Sequence, residues 1–238
     1  MSTLFISDLH LTGERQVITD LFIDFLKKRA SHADALYILG DLFEVWPGDD
    51  MIQPDYMDSI TAMKNLTDSG IPIYIMRGNR DFLMAAQFAE VSGASLIEDP
   101  TVINLYGSPT LLMHGDTLCS DDVDYQKFRQ MVRNPSWQAE FLALPKEERI
   151  AMTTKYREVS KEEMSKKNMD IMDVNQTTVE SVMQEHNIQQ LIHGHTHRPA
   201  VHDFSLNNKK MKRIVLGDWF EQGSVLECDV AGCQLESI

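Results

Sequence analysis

The strongest constraint in this 238-residue chain is a junction that recurs five times, where a short apolar run passes directly into residue types that bind metals. Leu4-Phe5-Ile6-Ser7 leads into Asp8-Leu9-His10, Tyr37-Ile38-Leu39 into Gly40-Asp41, and Tyr74-Ile75-Met76 into Arg77-Gly78-Asn79-Arg80-Asp81. Leu111-Leu112-Met113 leads into His114-Gly115-Asp116, and Leu191-Ile192 into His193-Gly194-His195-Thr196-His197. Runs this short and this apolar read as buried strands. Ligands in α/β folds gather beyond the carboxyl ends of strands, so the five junctions are expected to converge.

The segments between them fit the same plan. Val17, Ile18, Leu21, Phe22, Phe25 and Leu26 recur at helical spacing, and a second helix is expected over Tyr56 to Asp68, capped by Gly70. Strands are expected at Leu4–Ser7, Ala35–Leu39 and Ile71–Met76. Val102–Tyr106 and Thr110–Met113 flank Gly107-Ser108, a two-residue hairpin signal. From Asp121 to about His186 the pattern is helical, and the C-terminal part returns to strands at Val201–Leu206, Arg213–Leu216 and Val225–Val230, with a turn at Asn207-Asn208. The reading is α/β: one domain over residues 1–238, with β-rich halves packed together, flanking helices and a helical insertion at about 121–170.

A net charge of −14 argues against nucleic acid as a partner, since polyanion affinity comes from neutralising phosphates with Lys and Arg. Residues 121–170 depart from that average, with ten basic against ten acidic side chains, which marks a surface of its own. No apolar run is long enough to span a membrane, and Met1 to His10 carries no basic leader. Cys119, Cys228 and Cys233 match no disulfide framework or zinc motif, and a reducing cytoplasm is the simplest home.

Carboxylate, imidazole and amide donors without thiolate suit hard or borderline ions such as Mn²⁺ or Fe²⁺ better than structural zinc. In Asp8-Leu9-His10 and His195-Thr196-His197 the ligand types alternate with one residue, so an extended segment points both to one side. A lone Asp-x-His pair is more often structural than metal-binding. Five ordered junctions change that balance, except for His193, read as structural; His32, His186 and His202 read as surface or packing residues.

The ordered set Asp8-x-His10, Gly40-Asp41, Gly78-Asn79-Arg80-Asp81, His114-Gly115-Asp116 and Gly194-His195-x-His197 resembles the calcineurin-like metallophosphoesterase family. The Gly78-Asn79-Arg80-Asp81 form, the length and the helical insertion resemble, within it, the branch that hydrolyses UDP-2,3-diacylglucosamine in lipid A biosynthesis. That resemblance implies a β-sandwich flanked by helices, with a helical lid. It implies two Mn²⁺ ions, the first held by Asp8, His10, Asp41 and His197 and the second by Asp41, Asn79, His114 and His195. Asp41, Asn79, Arg80 and His114 form the implied catalytic set, and Asn79, Arg80, Asp122, Ser160, Lys167 and His195 the implied substrate contacts. Met164 departs from the polar residue expected there.

Many relatives in the superfamily carry His where Arg80 stands, to help the leaving group depart. Arg80 is no useful proton donor, which suits a sugar 1-phosphate leaving group whose second pKa is near ~6. The resemblance implies water attack on the α phosphorus of a glycolipid nucleotide, releasing UMP and 2,3-diacylglucosamine 1-phosphate. It also implies a cytoplasmic, monomeric enzyme in peripheral contact with the inner membrane. Phe128, Met131, Trp137, Phe141, Leu142 and Leu144 would supply an acyl cleft, and Lys146, Arg149, Lys155, Arg157, Lys161, Lys166 and Lys167 a basic face. The i, i+4, i+7 spacing of Trp137, Phe141 and Leu144 equally describes a helix face packed in a core. The competing readings are a phosphoesterase acting on a nucleotide, dinucleotide polyphosphate or phosphoprotein, and a non-catalytic scaffold; a scaffold is expected to lose ligands, and all seven are present.

Overall fold

The computed structural model describes residues 2–166 and 173–238. Alternation along each strand decides the layering. In β1 (Thr3–Ile6), Leu4 and Ile6 enter one buried cluster with the helices α1 (Gln16–Lys28), α2 (Met57–Asp68) and α3 (Ala86–Ser92), while Phe5 enters another. The same split recurs in β2 (Ala35–Leu39) and β3 (Ile73–Met76): Leu36, Ile38, Ile73 and Ile75 face the helices, and Leu39 and Met76 face the opposite sheet. With β4 (Ser95–Ile97) and the C-terminal hairpin β10 (Ser224–Asp229) and β11 (Gly232–Ser237), these strands form a six-stranded sheet ordered β11-β10-β1-β2-β3-β4.

The second sheet has the order β5-β6-β7-β9-β8, built from β5 (Thr101–Leu105), β6 (Ser108–Met113), β7 (Gln190–His193), β8 (Ala200–Leu206) and β9 (Lys209–Val215). Leu112, Ile192 and Ile214 meet Phe5, Leu39 and Leu226 between the sheets. On the outer face, Leu111, Met113 and Leu191 pack on Val179 and Met183 of α7 (Gln176–Glu185). Two mixed sheets therefore lie between helical layers, the expected α/β sandwich. β1, β2 and β3 are parallel, as are β6, β7 and β9, so each sheet aims three strand ends at the same rim.

Several details differ from expectation. Val17 is 79% exposed, whereas Ile18, Phe22, Phe25 and Leu26 are buried; burying a side chain of the size of Phe22 stabilises by about 1.5–3 kcal/mol. The β5–β6 turn is Tyr106-Gly107 and not Gly107-Ser108: both have positive φ, Ser108 pairs with Leu105, and Gly107 N donates to Asn104 Oδ1. β4 and β11 are additional strands, the first only three residues long. Cys228 and Cys233 form a disulfide, because the β10–β11 register sets them directly opposite with Cα atoms 4.0 Å apart. Cysteine usage therefore carries no argument for a reducing compartment.

Residues 123–166 form α4 (Val123–Val132), α5 (Pro135–Leu142) and α6 (Lys146–Lys166). Phe141 is buried in the helix-side core, with Trp137 and Leu144 packed against it, so that stripe is core and not cleft lining. Arg149 is also buried: Nη1 and Nη2 donate to the Asp50 carboxylate at 2.8 and 2.6 Å and Nη1 to Pro47 O, which removes it from the basic face. Lys167 lies outside the described residues. Among the described residues, no helix is long and apolar enough to cross a membrane.

Candidate active site

Backbone hydrogen bonds tie the loop leaving β1 to that leaving β2, and the loop leaving β7 to that leaving β6, while the β3 loop is held through the Asp81 and Asp41 carboxylates. Asp8 N donates to Gly40 O at 3.1 Å, His10 N to Asp41 O at 2.9 Å, and Gly194 N to His114 O at 2.8 Å. Close approach explains the glycines: a Cβ on Gly78 would stand 2.1 Å from Asp41 Oδ1, and one on Gly40 would stand 2.4 Å from His114 Nδ1. Asp8, His10, Asp41, His195 and His197 all have positive φ, between 49° and 70°. Such backbone is costly for residues with a Cβ, on the order of 1–3 kcal/mol each, and persists where surrounding structure over-determines it. Sequence pattern carries no sign of this strain.

Among the described residues, two overlapping groups have the geometry to hold a metal ion, Asp8 with His10 and His197, and Asp8 with Asp41 and His114. Asp41 lies between their histidines, with Oδ2 3.7 Å from His10 Nε2 and Oδ1 3.8 Å from His114 Nε2. Asn79 Oδ1 is 2.9 Å from His114 Nε2, and the His195 ring lies 5.1 Å from that of His114. All seven expected residues are thus drawn together. The donor set fits a divalent cation: His10 Nε2 is buried without a hydrogen-bond partner, and Asp8 Oδ1, 3.3 Å from His197 Nε2, makes no well-aligned one.

The electrostatics agree. Burial alone would lower the His114 pKa, but the charges of Asp41, Asp116 and Asp8 outweigh it and push it up to about 9. Against the same burial penalty, Asp218 and Asp8 push His197 up to about 10. The carboxylates hold positive charge on these rings, which is the demand a cation meets. Burial, with His114 beside it, pushes His195 down to about 4, leaving the neutral imidazole a ligand requires. His193 is pushed down to about 3 by burial, and it lies 3.2 Å from Arg213 Nη1 and 2.8 Å from Gly194 O, a structural role as expected.

A supporting ring of residues surrounds these donors, and the sequence reading missed it. His10 Nδ1 lies 2.7 Å from Glu44 Oε2, and His197 Nδ1 lies 3.1 Å from Asp218 Oδ2. Carboxylates on the far nitrogen fix the orientation and tautomer of a ligating histidine. Asp218 had a legible signal, since Gly217-Asp218 follows the strand run ending at Leu216, a sixth junction of the kind seen at Gly40-Asp41. From α4, Tyr125 stacks beside His195 at 6.0 Å and donates to Asp116 Oδ2, while Arg129 Nε donates to the same oxygen and Arg133 Nη2 to Gly78 O. Asp81 accepts from Gly78 N and Leu42 N, which makes it a brace of two ligand loops.

Of the expected substrate contacts, Asn79, Arg80 and His195 stand at this centre. Arg80 N donates to Asp41 Oδ1 at 2.8 Å, its Nη1 is 3.8 Å from Glu44 Oε1, and its Nε is buried without a hydrogen-bond partner. Asp122 caps α4 by accepting from Tyr125 N, and Ser160 is half-buried on α6.

A fold of two mixed sheets with this donor set at the strand ends defines a calcineurin-like phosphoesterase, and a sequence model of that family matches residues 1–199. The archaeal protein described as a novel phosphodiesterase shares the fold, at 10% identity and TM-score 0.50 with both chains fully covered. Much nearer in sequence are UDP-2,3-diacylglucosamine hydrolases: that of Stenotrophomonas maltophilia (strain K279a) is 48% identical, covering 100% of this chain and 99% of the relative. Those of Photobacterium profundum and Escherichia coli O7:K1 are 48% and 51% identical, covering 100% and 97%, and 95% and 95%, of the two chains. The chain belongs to the calcineurin-like phosphoesterase family, on the branch formed by these hydrolases.

Proposed function

We propose that this chain hydrolyses the pyrophosphate bond of UDP-2,3-diacylglucosamine in lipid A biosynthesis, by water attack on the α phosphorus, releasing UMP and 2,3-diacylglucosamine 1-phosphate. The observation that carries the reading is the Asp41 carboxylate between His10 and His114, with the Arg80 backbone N–H bonded to it and the Arg80 side chain beside Glu44. Asp8, His10, Asp41 and His197 would hold one Mn²⁺, and Asp41, Asn79, His114 and His195 a second. When bound, the two ions supply charge to the phosphoryl oxygens and acidify the attacking water.

The chain's own groups do the rest. Arg80, with an unused buried Nε, clamps phosphate oxygens and stabilises charge on the departing sugar 1-phosphate without giving up a proton. Glu44 and Asp218 keep His10 and His197 pointed inward. Burial and Asp116 raise the Tyr125 hydroxyl well above the usual phenol range, so it stays a donor and anchors α4 beside His195. Asp122, Ser160 and Lys167 complete the substrate contacts from the insertion of the single domain.

Acyl recognition is supported by Val123, Met131, Leu142, Ile150 and Val159, exposed apolar side chains on α4, α5 and α6. The same surface favours peripheral contact of a monomer with the cytoplasmic face of the inner membrane. Incubation with Mn²⁺ and UDP-2,3-diacylglucosamine tests the reading. Chelator-sensitive release of UMP is expected, faster than from a UDP-sugar without acyl chains; absence of UMP refutes the function, and equal rates refute the role of the insertion.

A further inference from the structure

The candidate centre has two unlike flanks. On one stand the insertion helices, through Tyr125 beside His195, Arg133 on Gly78 O, and Arg157 Nη2 2.9 Å from Glu44 Oε1. On the other, a cleft of about 470 Å³ opens at His197 and runs past Asp218, Phe220, Gln222 and Ser237 toward the end of β11. No described insertion residue lines it.

Phe220 forms the wall between cleft and centre. Its ring lies 5.5 Å from that of His10, nearly parallel, and 5.3 Å from that of His197, with the Arg15 guanidinium 4.7 Å from its centroid. Arg15 also donates to the carbonyls of Trp219 and Phe220, so the ring is fixed in place and is not a loose surface side chain. Even so Phe220 remains 48% exposed. A held aromatic ring with free surface, next to a reaction centre, is a platform for another flat ring.

The charge of the cleft selects which part of a substrate enters. Its lining includes the carboxylates of Asp218, Glu221 and Glu236 and no Lys or Arg. Glu236 Oε2 is already held by Arg29 Nη2 at 2.7 Å, and the lining, still net negative, disfavours phosphate and accepts hydrogen bonds from hydroxyl groups. It offers little to an acyl chain, whose apolar counterpart is the exposed surface of α4, α5 and α6 on the other flank. A nucleoside suits it: a flat base, two ribose hydroxyl donors, and no charge of its own. The attacked phosphorus carries the ribose directly, so the nucleoside must lie within one sugar of the donor cluster, and the cleft begins at His197.

Resting on the hydrolase reading above, we infer that this cleft is the nucleoside subsite, with the uracil ring packed on the free surface of Phe220 and the ribose hydroxyls facing the carboxylates of Glu221 and Glu236. Gln222, whose Nε2 donates to Ser237 Oγ at 3.2 Å, presents an amide oxygen to the base N–H.

The test is photocrosslinking of 5-iodouridine monophosphate to the Mn²⁺-loaded chain, followed by tryptic mapping. Residues 214–238 contain no Lys or Arg and emerge as one peptide. The adduct is expected in that peptide and is displaced by UMP. Phe220→Ala and the bulkier Phe220→Leu, which keeps apolar cover over His10, are each expected to weaken UMP binding about tenfold, the scale of one base–aromatic stack. Both leave the affinity for inorganic phosphate within about twofold, and Phe220→Trp restores UMP binding. An adduct confined to peptides from 123–166, or unchanged UMP affinity in both truncated variants, overturns the subsite. UMP release from the acylated substrate, run alongside, separates the two failures: release with the adduct elsewhere defeats the subsite alone, and neither release nor UMP binding defeats both.

Discussion

Asp99 carries a pH dependence that can be worked from its surroundings. Its side chain is 7% exposed, both carboxylate oxygens lack a hydrogen-bond partner, and the nearest cation, Arg129 Nη2, is 3.8 Å away and already engaged with Asp116. Burial, then the charge of Asp116, push its pKa from the ordinary 3.8 up to about 6. A raised folded-state pKa means that the neutral acid is the form the fold accommodates. Its contribution is fully present below the unfolded value of 3.8 and is lost as pH rises through about 6. A rise of roughly 2 in pKa, at about 1.36 kcal/mol for each, makes the ionised group cost ~3 kcal/mol above pH 6.

Asp99→Asn keeps the shape and removes the ionisation. Urea unfolding of wild type and variant at pH 4, 5, 6 and 8 is expected to show near-equal stability at pH 4. A difference in favour of the variant then opens between pH 4 and 6 and levels at about 2–3 kcal/mol by pH 8. The m-values should match, since the surface exposed on unfolding is unchanged. A difference that is constant with pH, or that favours wild type at pH 8, refutes the reasoning and places Asp99 in a partnered, ionised state.

Three further outcomes follow from the site. Asp218→Asn leaves His197 Nδ1 without its carboxylate, and Mn²⁺ titration of activity should show a loss of about 10–100-fold in metal affinity. Gly78→Ala drives a Cβ to 2.1 Å from Asp41 Oδ1 and 2.3 Å from its backbone N, so Mn²⁺ binding measured by calorimetry should be lost, whereas Gly70→Ala, with nothing within 4 Å, should cost only about 1–2 kcal/mol, for its positive φ, in a thermal melt and leave Mn²⁺ binding intact. Arg80→Ala should lower kcat by about 10²–10³ with a smaller change in KM, and Arg80→Lys should recover only part of it, because a point charge cannot reproduce the planar fork.

The junctions at the strand ends were legible because apolar runs and metal-binding residue types are both local signals, and the seven residues expected there lie together. The division of the sandwich was also local, written in the alternation of Leu4, Phe5 and Ile6. What escaped was tertiary. The left-handed backbone at Asp8, His10 and Asp41 is imposed by hydrogen bonds between loops, against the preference of the residues themselves. Trp137, Phe141 and Leu144 show one period for two fates, and only packing decides for the core. Arg149 looked like a surface cation until Asp50, 99 residues earlier, was placed against it.

Glu44 shows why the insertion belongs to the chemistry and is more than an addition to it. Its Oε2 lies 2.7 Å from His10 Nδ1, while Oε1 lies 2.9 Å from Arg157 of α6 and 3.8 Å from Arg80. Burial would raise its pKa, but His10, Arg80 and Arg157 together hold it at about 2, so it is an anion whose charge is shared among His10, Arg80 and a helix of the insertion. A carboxylate has a fixed charge to divide. Arg157 takes part of it, and the hold of Glu44 on Arg80, at ion-pair distance and not hydrogen-bonded, is the weaker for it. Arg157→Ala is therefore expected to tighten the Glu44–Arg80 pair and lower kcat on the diphosphate substrate, and an unchanged kcat would refute the link. Glu44 thus joins α6 and Arg80 through one carboxylate oxygen, with His10 held in orientation by the other.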